Sequence, residues 1–149
     1  MLKQIAEELL ARPDLKAAYM PQDYEELLNR EQNPVDFLSS LGDKEERTTI
    51  RTYLGSMRYT ADEMSHAIRE LSGGQKAKLL FLKMSLDGCN VLILDEPTRN
   101  FSPLSGPVIR QVLKEYPGAI ISISHDRKYL EEVVDTTYEL TEQGLVKRN

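Results

Sequence analysis

The chain has 149 residues, with 24 acidic and 19 basic side chains giving a formal net charge of −5. That length suits one modest core, and the acidic balance with interspersed signs offers no direct nucleic-acid patch. Cys89 stands alone, only two histidines occur, and no signal peptide is expected from the opening residues. An internal disulfide and a Cys/His zinc site are thereby excluded, no apolar run approaches the roughly 20 residues that span a bilayer, and a cytoplasmic, soluble protein is expected.

Leu2 to Leu10 predicts an amphipathic helix, because Leu2, Ile5, Ala6, Leu9 and Leu10 recur at helical spacing and Pro13-Asp14 then breaks the pattern. Leu15 to Met20 predicts a short strand, followed by the turn Pro21-Gln22-Asp23. From Tyr24 to about Glu70 the chain turns polar and helical, with Asn33 placed to cap a helix that Pro34 opens. Ser72 starts a helix to about Leu86, and Asp87-Gly88 turns the chain into an apolar strand at Val91 to Leu94, with Cys89 read as a packing residue just ahead of it. Ser105 is placed to cap a further helix to about Tyr116, Pro117-Gly118 ends it, and Ala119 to Ser124 is again apolar. Continuous apolar strands alternating with helices predict a parallel sheet covered on both faces. His125-Asp126 opens another helix, and Thr136 to Leu140 with Leu145 to Lys147 predicts a terminal hairpin around Gln143-Gly144.

Two stretches carry chemistry. Leu71-Ser72-Gly73-Gly74-Gln75 opens a helix with two glycines and a serine, leaving backbone N–H groups able to face a phosphate. Val91 to Leu94 ends in Asp95-Glu96-Pro97, a buried strand delivering two carboxylates to one point, where a magnesium ion and an attacking water can be managed. Adjacent carboxylates repel, so a nearby cation is needed to keep both ionised cheaply. His125 closes the strand candidate at Ala119 to Ser124, and both strand ends can meet one crevice. His66 has no such context and reads as a surface or packing residue. No Gly-x-x-x-x-Gly-Lys-[Ser/Thr] stretch occurs in the 149 residues.

Leu71 to Gln75 resembles the signature loop of ATP-binding cassettes, in which the loop of one domain contacts the γ-phosphate held by the opposite domain. The resemblance implies that Ser72, Gly73, Gly74 and Gln75 touch nucleotide in trans. Val91 to Pro97 resembles the Walker B strand. By that likeness Asp95 orients water ligands of Mg²⁺, and Glu96 polarises the attacking water or acts as general base in γ-phosphate hydrolysis. Ser124-His125-Asp126-Arg127 resembles the switch segment, with His125 sensing the γ-phosphate. Tyr19-Met20-Pro21-Gln22 resembles the Q-loop, whose Gln22 reaches metal and water. Ser124 to Leu130, the Tyr-Met-Pro-Gln loop and the Leu140 to Leu145 ending resemble the ABC-F class, two-cassette proteins without a transmembrane domain that act on ribosomes in translation or antibiotic resistance.

The likeness implies a partial P-loop NTPase core: an α/β fold with a mostly parallel sheet over 1–23 and 87–149, an inserted helical and signature part over 24–86, and a C-terminal β-hairpin. ATP with Mg²⁺ is the implied ligand of the intact composite site, and a second cassette and the ribosome are the implied partners. Two departures stand out. The class continues its Asp-Glu-Pro-Thr with Asn-His-Leu-Asp, the D-loop, whereas here Arg99 to Ser105 follows and Ser102 takes the aspartate position. The helix at Leu2 to Leu10 resembles the one after the Walker A loop, so the phosphate cradle is expected upstream of this truncated cassette, and weak or no ATP binding by the chain alone is expected. A non-catalytic partner that donates the signature loop in trans, and a transporter's ATP-binding subunit, are the alternatives.

Overall fold

The computed structural model describes residues 1–99 and 103–149. Three strands form its main sheet: β1 (Ala17–Met20), β2 (Val91–Asp95) and β3 (Ala119–Ile123), ordered β1-β2-β3 and parallel throughout. Met20 pairs with Leu94, and Asp95 with Ile123, so the carboxyl ends of all three strands line one edge. The central strand β2 is the Val-Leu-Ile-Leu run, and Leu92, Ile93 and Leu94 are fully buried. Its alternation serves two faces. Val91 and Ile93 pack with Leu2 and Ala6 of helix α1 (Leu2–Leu10), while Leu92 and Leu94 join the larger core cluster.

That larger core is built around α5 (Gly73–Leu86), which buries Ala77, Leu79, Leu80, Phe81, Leu82 and Met84. Three helices from the polar stretch contribute to the same core, each started by a polar cap that satisfies an otherwise orphaned N–H. Asn33 Oδ1 accepts from Asp36 N–H at 2.9 Å and opens α2 (Pro34–Leu38), as the Asn-Pro pair predicts. Asp43 caps α3 (Lys44–Ser56), and Thr60 with Glu63 forms a reciprocal capping box on α4 (Ala61–Ser65). Val35, Leu38, Ile50, Leu54 and Ile68 turn inward from this polar stretch and complete the core.

Beyond β2, α6 (Gly106–Lys114) buries Ile109 and Leu113, and α7 (Arg127–Glu132) buries Tyr129. Ser105 occupies the position before α6 but makes no side-chain capping bond, and the helix ends at Lys114 rather than near Tyr116. Gly118 is required between α6 and β3, because a Cβ there lies only 2.6 Å from the carbonyl oxygen of Asn90. The hairpin pairs β4 (Tyr138–Thr141) antiparallel with β5 (Gly144–Lys147), with Gly144 at φ +105 in the turn.

One expectation is corrected at β3. It is not covered on both faces: Ala119 and Ile121 are exposed, with Ile121 at 37%. Helix α1 packs over β1 and β2, and on the same face of β3 Ile123 reaches that cluster while Ala119 and Ile121 stay exposed. Among the described residues no helix is long and apolar enough to cross a membrane.

Candidate functional site

Parallel strands deliver their exits to one edge of a sheet, and loops at that edge gather side chains from distant sequence. Here Gln22 follows β1 by two residues, Glu96 follows β2 directly, and His125 follows β3 by two. The Glu96 N–H still donates to Ile123 O at 2.9 Å, extending the β2–β3 ladder by one bond. The Glu96 backbone then turns left-handed, at φ 48. A side chain rarely adopts that region, and the turn is what swings the carboxylate off the strand.

The Glu96 carboxylate is largely enclosed, with its side chain 12% exposed, and Oε1 lies 2.6 Å from His125 Nδ1. The His125 N–H approaches Oε2 at 3.4 Å. The imidazole itself is 88% exposed, so its other nitrogen faces the open cleft. Arg99, drawn back by its N–H bond to Glu96 O, donates from Nη1 to Gln22 Oε1 at 3.3 Å. Thr98 Oγ1 donates to Asp126 Oδ2 at 2.8 Å, joining the β2 exit to the start of α7. Asp126 also caps α7, accepting from the N–H groups of Lys128 and Tyr129. Burial pushes the Asp126 carboxyl upward, but the Thr98 hydroxyl and the two N–H donors outweigh it and hold the group below its ordinary value.

An open cleft of about 520 Å³ lies among Glu96, Thr98, Arg99, His125 and Asp126. Asp95 shares the strand parity of Val91 and Ile93, toward the α1 face. Tyr19, on that face, has its hydroxyl pushed up by burial and then by the Asp95 charge. Among the described residues no group of three or more His, Cys, Asp or Glu side chains is disposed to hold a metal. Oxygen donors on Asp95, Glu96 and Gln22 fit magnesium, which takes one or two carboxylates and completes its shell with water and phosphate.

The signature-like loop opens α5. Ser72 Oγ accepts from the Gln75 N–H at 3.2 Å, so the serine caps the helix, and Ser72 and Gly73 are exposed. Gly74 is buried, and a Cβ there meets Ser105 Cβ and Oγ at 3.1 Å. Two tyrosines grip the same turn: Tyr59 donates to Gln75 O at 2.8 Å, and Tyr24 to Gly73 O at 3.4 Å. Gln75 Nε2 donates to Glu63 Oε2 at 3.1 Å.

The structure therefore brings Gln22, Glu96 and His125 to one edge and places Ser72 to Gln75 at the first turn of α5. Ser102, at the D-loop aspartate position, lies outside the described residues. His66 is exposed and turns Nδ1 to Asp62 O at 2.7 Å, while Cys89 packs against the main core with its thiol pushed up by burial. Sequence reasoning missed the Arg99 contact, the Thr98–Asp126 pair and the two tyrosines. The Thr and Asp next to the recognised motifs were the available signal for the second, and nothing local announced the others.

Strand order, helix placement and terminal hairpin are those of an α/β ATP-binding cassette core. A family model described as "ABC transporter" matches residues 3–99. The chain belongs to that family. It is 30% identical over 137 residues to "Probable ATP-binding protein YheS" of Escherichia coli (strain K12), covering 92% of this chain and 22% of that protein. It is 34% identical over 97 residues to "ABC transporter F family member 2" of Arabidopsis thaliana, covering 65% of this chain and 14% of that protein. The chain thus spans between about a seventh and about a fifth of the length of these curated relatives. Among solved structures, a chain described as a metal-chelate type ABC transporter in an inward-facing conformation superposes at TM-score 0.72 and 15% identity, covering 99% of this chain and 67% of that one. The ATP-binding cassette MJ0796, a dimer bound to ADP and Pi after hydrolysis, superposes at TM-score 0.57 and 19% identity, covering 76% and 54%.

Proposed function

We propose that this chain supplies the signature, Walker B and switch elements of an ATP-hydrolysing cassette of ABC-F type, acting as one half of a cassette pair. The observation that carries the reading is the meeting of Glu96 and His125 at 2.6 Å on adjacent strand exits, with Gln22 tied to the same edge by Arg99. Residues 1–23 and 87–149 act as the α/β core portion, and 24–86 as the helical part that presents the signature loop.

Mg–ATP, when bound, supplies a polarised γ-phosphate and a cation that offsets the paired acids. Asp95 orients water ligands of the ion, and Gln22 offers it an amide oxygen. Glu96 accepts a hydrogen bond from the attacking water and polarises it or takes its proton, while the Nδ1–H of His125 keeps the carboxylate aimed. The outer nitrogen of His125 is left to meet the γ-phosphate. Ser72 and Gly73 present a hydroxyl and N–H groups to a nucleotide held by the opposing cassette. No Gly-x-x-x-x-Gly-Lys cradle lies within these 149 residues, so that part is contributed from outside them. As in the ABC-F class, the pair works in the cytoplasm on ribosomes, in translation or antibiotic resistance.

Mixing the chain with a Walker A-bearing cassette tests the reading by ATPase rate. Ser72→Arg should abolish any stimulation, and stimulation that survives it overturns the trans contact. The exposure of Ser72 and Gly73 favours one second reading, a non-catalytic donor of the signature loop. Glu96→Gln separates the two: a donor still stimulates its partner fully, whereas a catalytic half does not.

A further inference from the structure

Tyr24, beside the Gln22 turn, and Gly73 of the signature loop are 49 positions apart, yet the Tyr24 side chain joins them, with the Lys76–Glu25 ion pair at 3.4 Å alongside. Tyr24 lies two residues after Gln22, its ring is buried at 6% exposure, and its hydroxyl donates to Gly73 O at 3.4 Å. Burial pushes that phenol up, with the charges of Glu25 and Asp23 adding to it, so the hydroxyl remains a donor across the physiological range. At its other end the Gln22 amide is held by Arg99, on the β2 exit beside Glu96. Gly74 meets the β2 side a second time, through its close approach to Ser105.

We propose that Tyr24 is a positioning residue that makes the set of the signature loop follow the position of Gln22. The proposal rests on the functional reading above, in which Gln22 faces the ion in one site and Ser72 faces nucleotide in the other. Two features make it physically reasonable. The path from Gln22 to Tyr24 is two peptide units, too short to absorb a displacement without moving the ring. The ring is packed in the main core, so a displacement is carried to Gly73 rather than dissipated in solvent. Tyr59 is the natural comparison. It grips the same loop through Gln75 O, but its segment carries no residue of the Gln22–Arg99 contact.

The test uses the full chain without nucleotide and reads the backbone amide resonances of Gly73 and Gly74. Arg99→Ala removes the Arg99 donor from the Gln22 amide and should shift both resonances in the parent. In a Tyr24→Phe background, which keeps the buried ring, the same substitution should shift neither. In a Tyr59→Phe background the shift should persist. A shift from Arg99→Ala that is unchanged in Tyr24→Phe overturns the proposal, because a merely structural hydroxyl alters the starting resonances without altering the response. So does a parent that shows no shift. A second arm adds a Walker A-bearing cassette and Mg–ATP. Tyr24→Phe should lower Ser72-dependent stimulation at least about twofold, the smallest coupling expected between contacting residues. Absence of any Ser72-dependent stimulation sinks the functional reading. Stimulation that depends on Ser72 but not on Tyr24 sinks this inference alone.

Discussion

His125 Nδ1 sits 2.6 Å from Glu96 Oε1, while its own backbone N–H approaches Oε2 at 3.4 Å. One residue thus addresses both oxygens of the acid, and β2 and β3 are locked together one step beyond their ladder. The Glu96 side chain is largely enclosed, whereas the imidazole is largely in solvent. In a Walker A-bearing pair, Glu96→Gln should lower turnover about 10²–10⁴-fold with nucleotide binding retained, the range for loss of a positioned acid–base group. His125→Ala should lower it less, because the backbone contact to Glu96 remains. Single-turnover ATPase with parallel nucleotide-binding titrations checks both, and equal turnover in parent and Glu96→Gln would count against the assignment.

Glu96 also sits at φ 48, where a Cβ is unfavourable and glycine is not. Glu96→Ala and Glu96→Gly lose the same carboxylate and the same contact with His125. Their difference isolates the backbone. The glycine variant should be the more stable by about 1 kcal/mol in urea unfolding. An alanine variant of equal or greater stability would show that this turn is unstrained.

Much of this architecture was readable along the chain, and the reasons are local. Pro13, Asp87-Gly88 and Pro117-Gly118 punctuate apolar runs whose period is unambiguous, and Asn33 and Ser72 are helix starts by residue type alone. The pattern Thr60-x-x-Glu63 was equally legible as a capping box but lay inside a stretch read only as helical. The misreading of β3 has another origin. An apolar strand states that it prefers burial and not which element covers it, and α1 packs mainly over β1 and β2, leaving Ala119 and Ile121 of β3 exposed. At the site, each motif was visible on its strand or helix start. The Arg99–Gln22, Thr98–Asp126 and Tyr24–Gly73 contacts depend on which exits become neighbours, which strand order decides and local sequence does not.

The close approach of Gly74 to Ser105 makes a second stability test. A methyl at Gly74 meets Ser105 Cβ and Oγ at 3.1 Å, tight enough that one helix start must shift against the other. Gly74→Ala should destabilise the chain by about 1–3 kcal/mol, the usual cost of overpacking. Ser105→Gly removes both opposing atoms and should restore much of that loss when combined with it. Urea midpoints of the two single variants and the double variant read the coupling, and simple additivity would refute the contact.

Acid sensitivity should trace chiefly to a loop far from the site. Glu46, on α3, receives the N–H groups of Ser40, Leu41 and Gly42 and the hydroxyls of Ser39 and Ser40, at 2.8–3.0 Å. The Ser40 N–H leads the effect. With the Ser39 hydroxyl, the Gly42 N–H and the Ser40 hydroxyl it outweighs burial and brings the carboxyl from 4.5 down to about 2. A carboxyl whose folded value lies below its unfolded value binds fewer protons when folded, so its contribution is complete above pH 4.5 and fades as pH falls toward 2. The urea midpoint of the parent should therefore drop through that window. Glu46→Gln should start lower at neutral pH, because its amide nitrogen faces donors, and should lose less on acidification. Parallel pH profiles for the two proteins would assign the acid limb to other carboxylates, Asp126 first among them, since it too is held below its ordinary value.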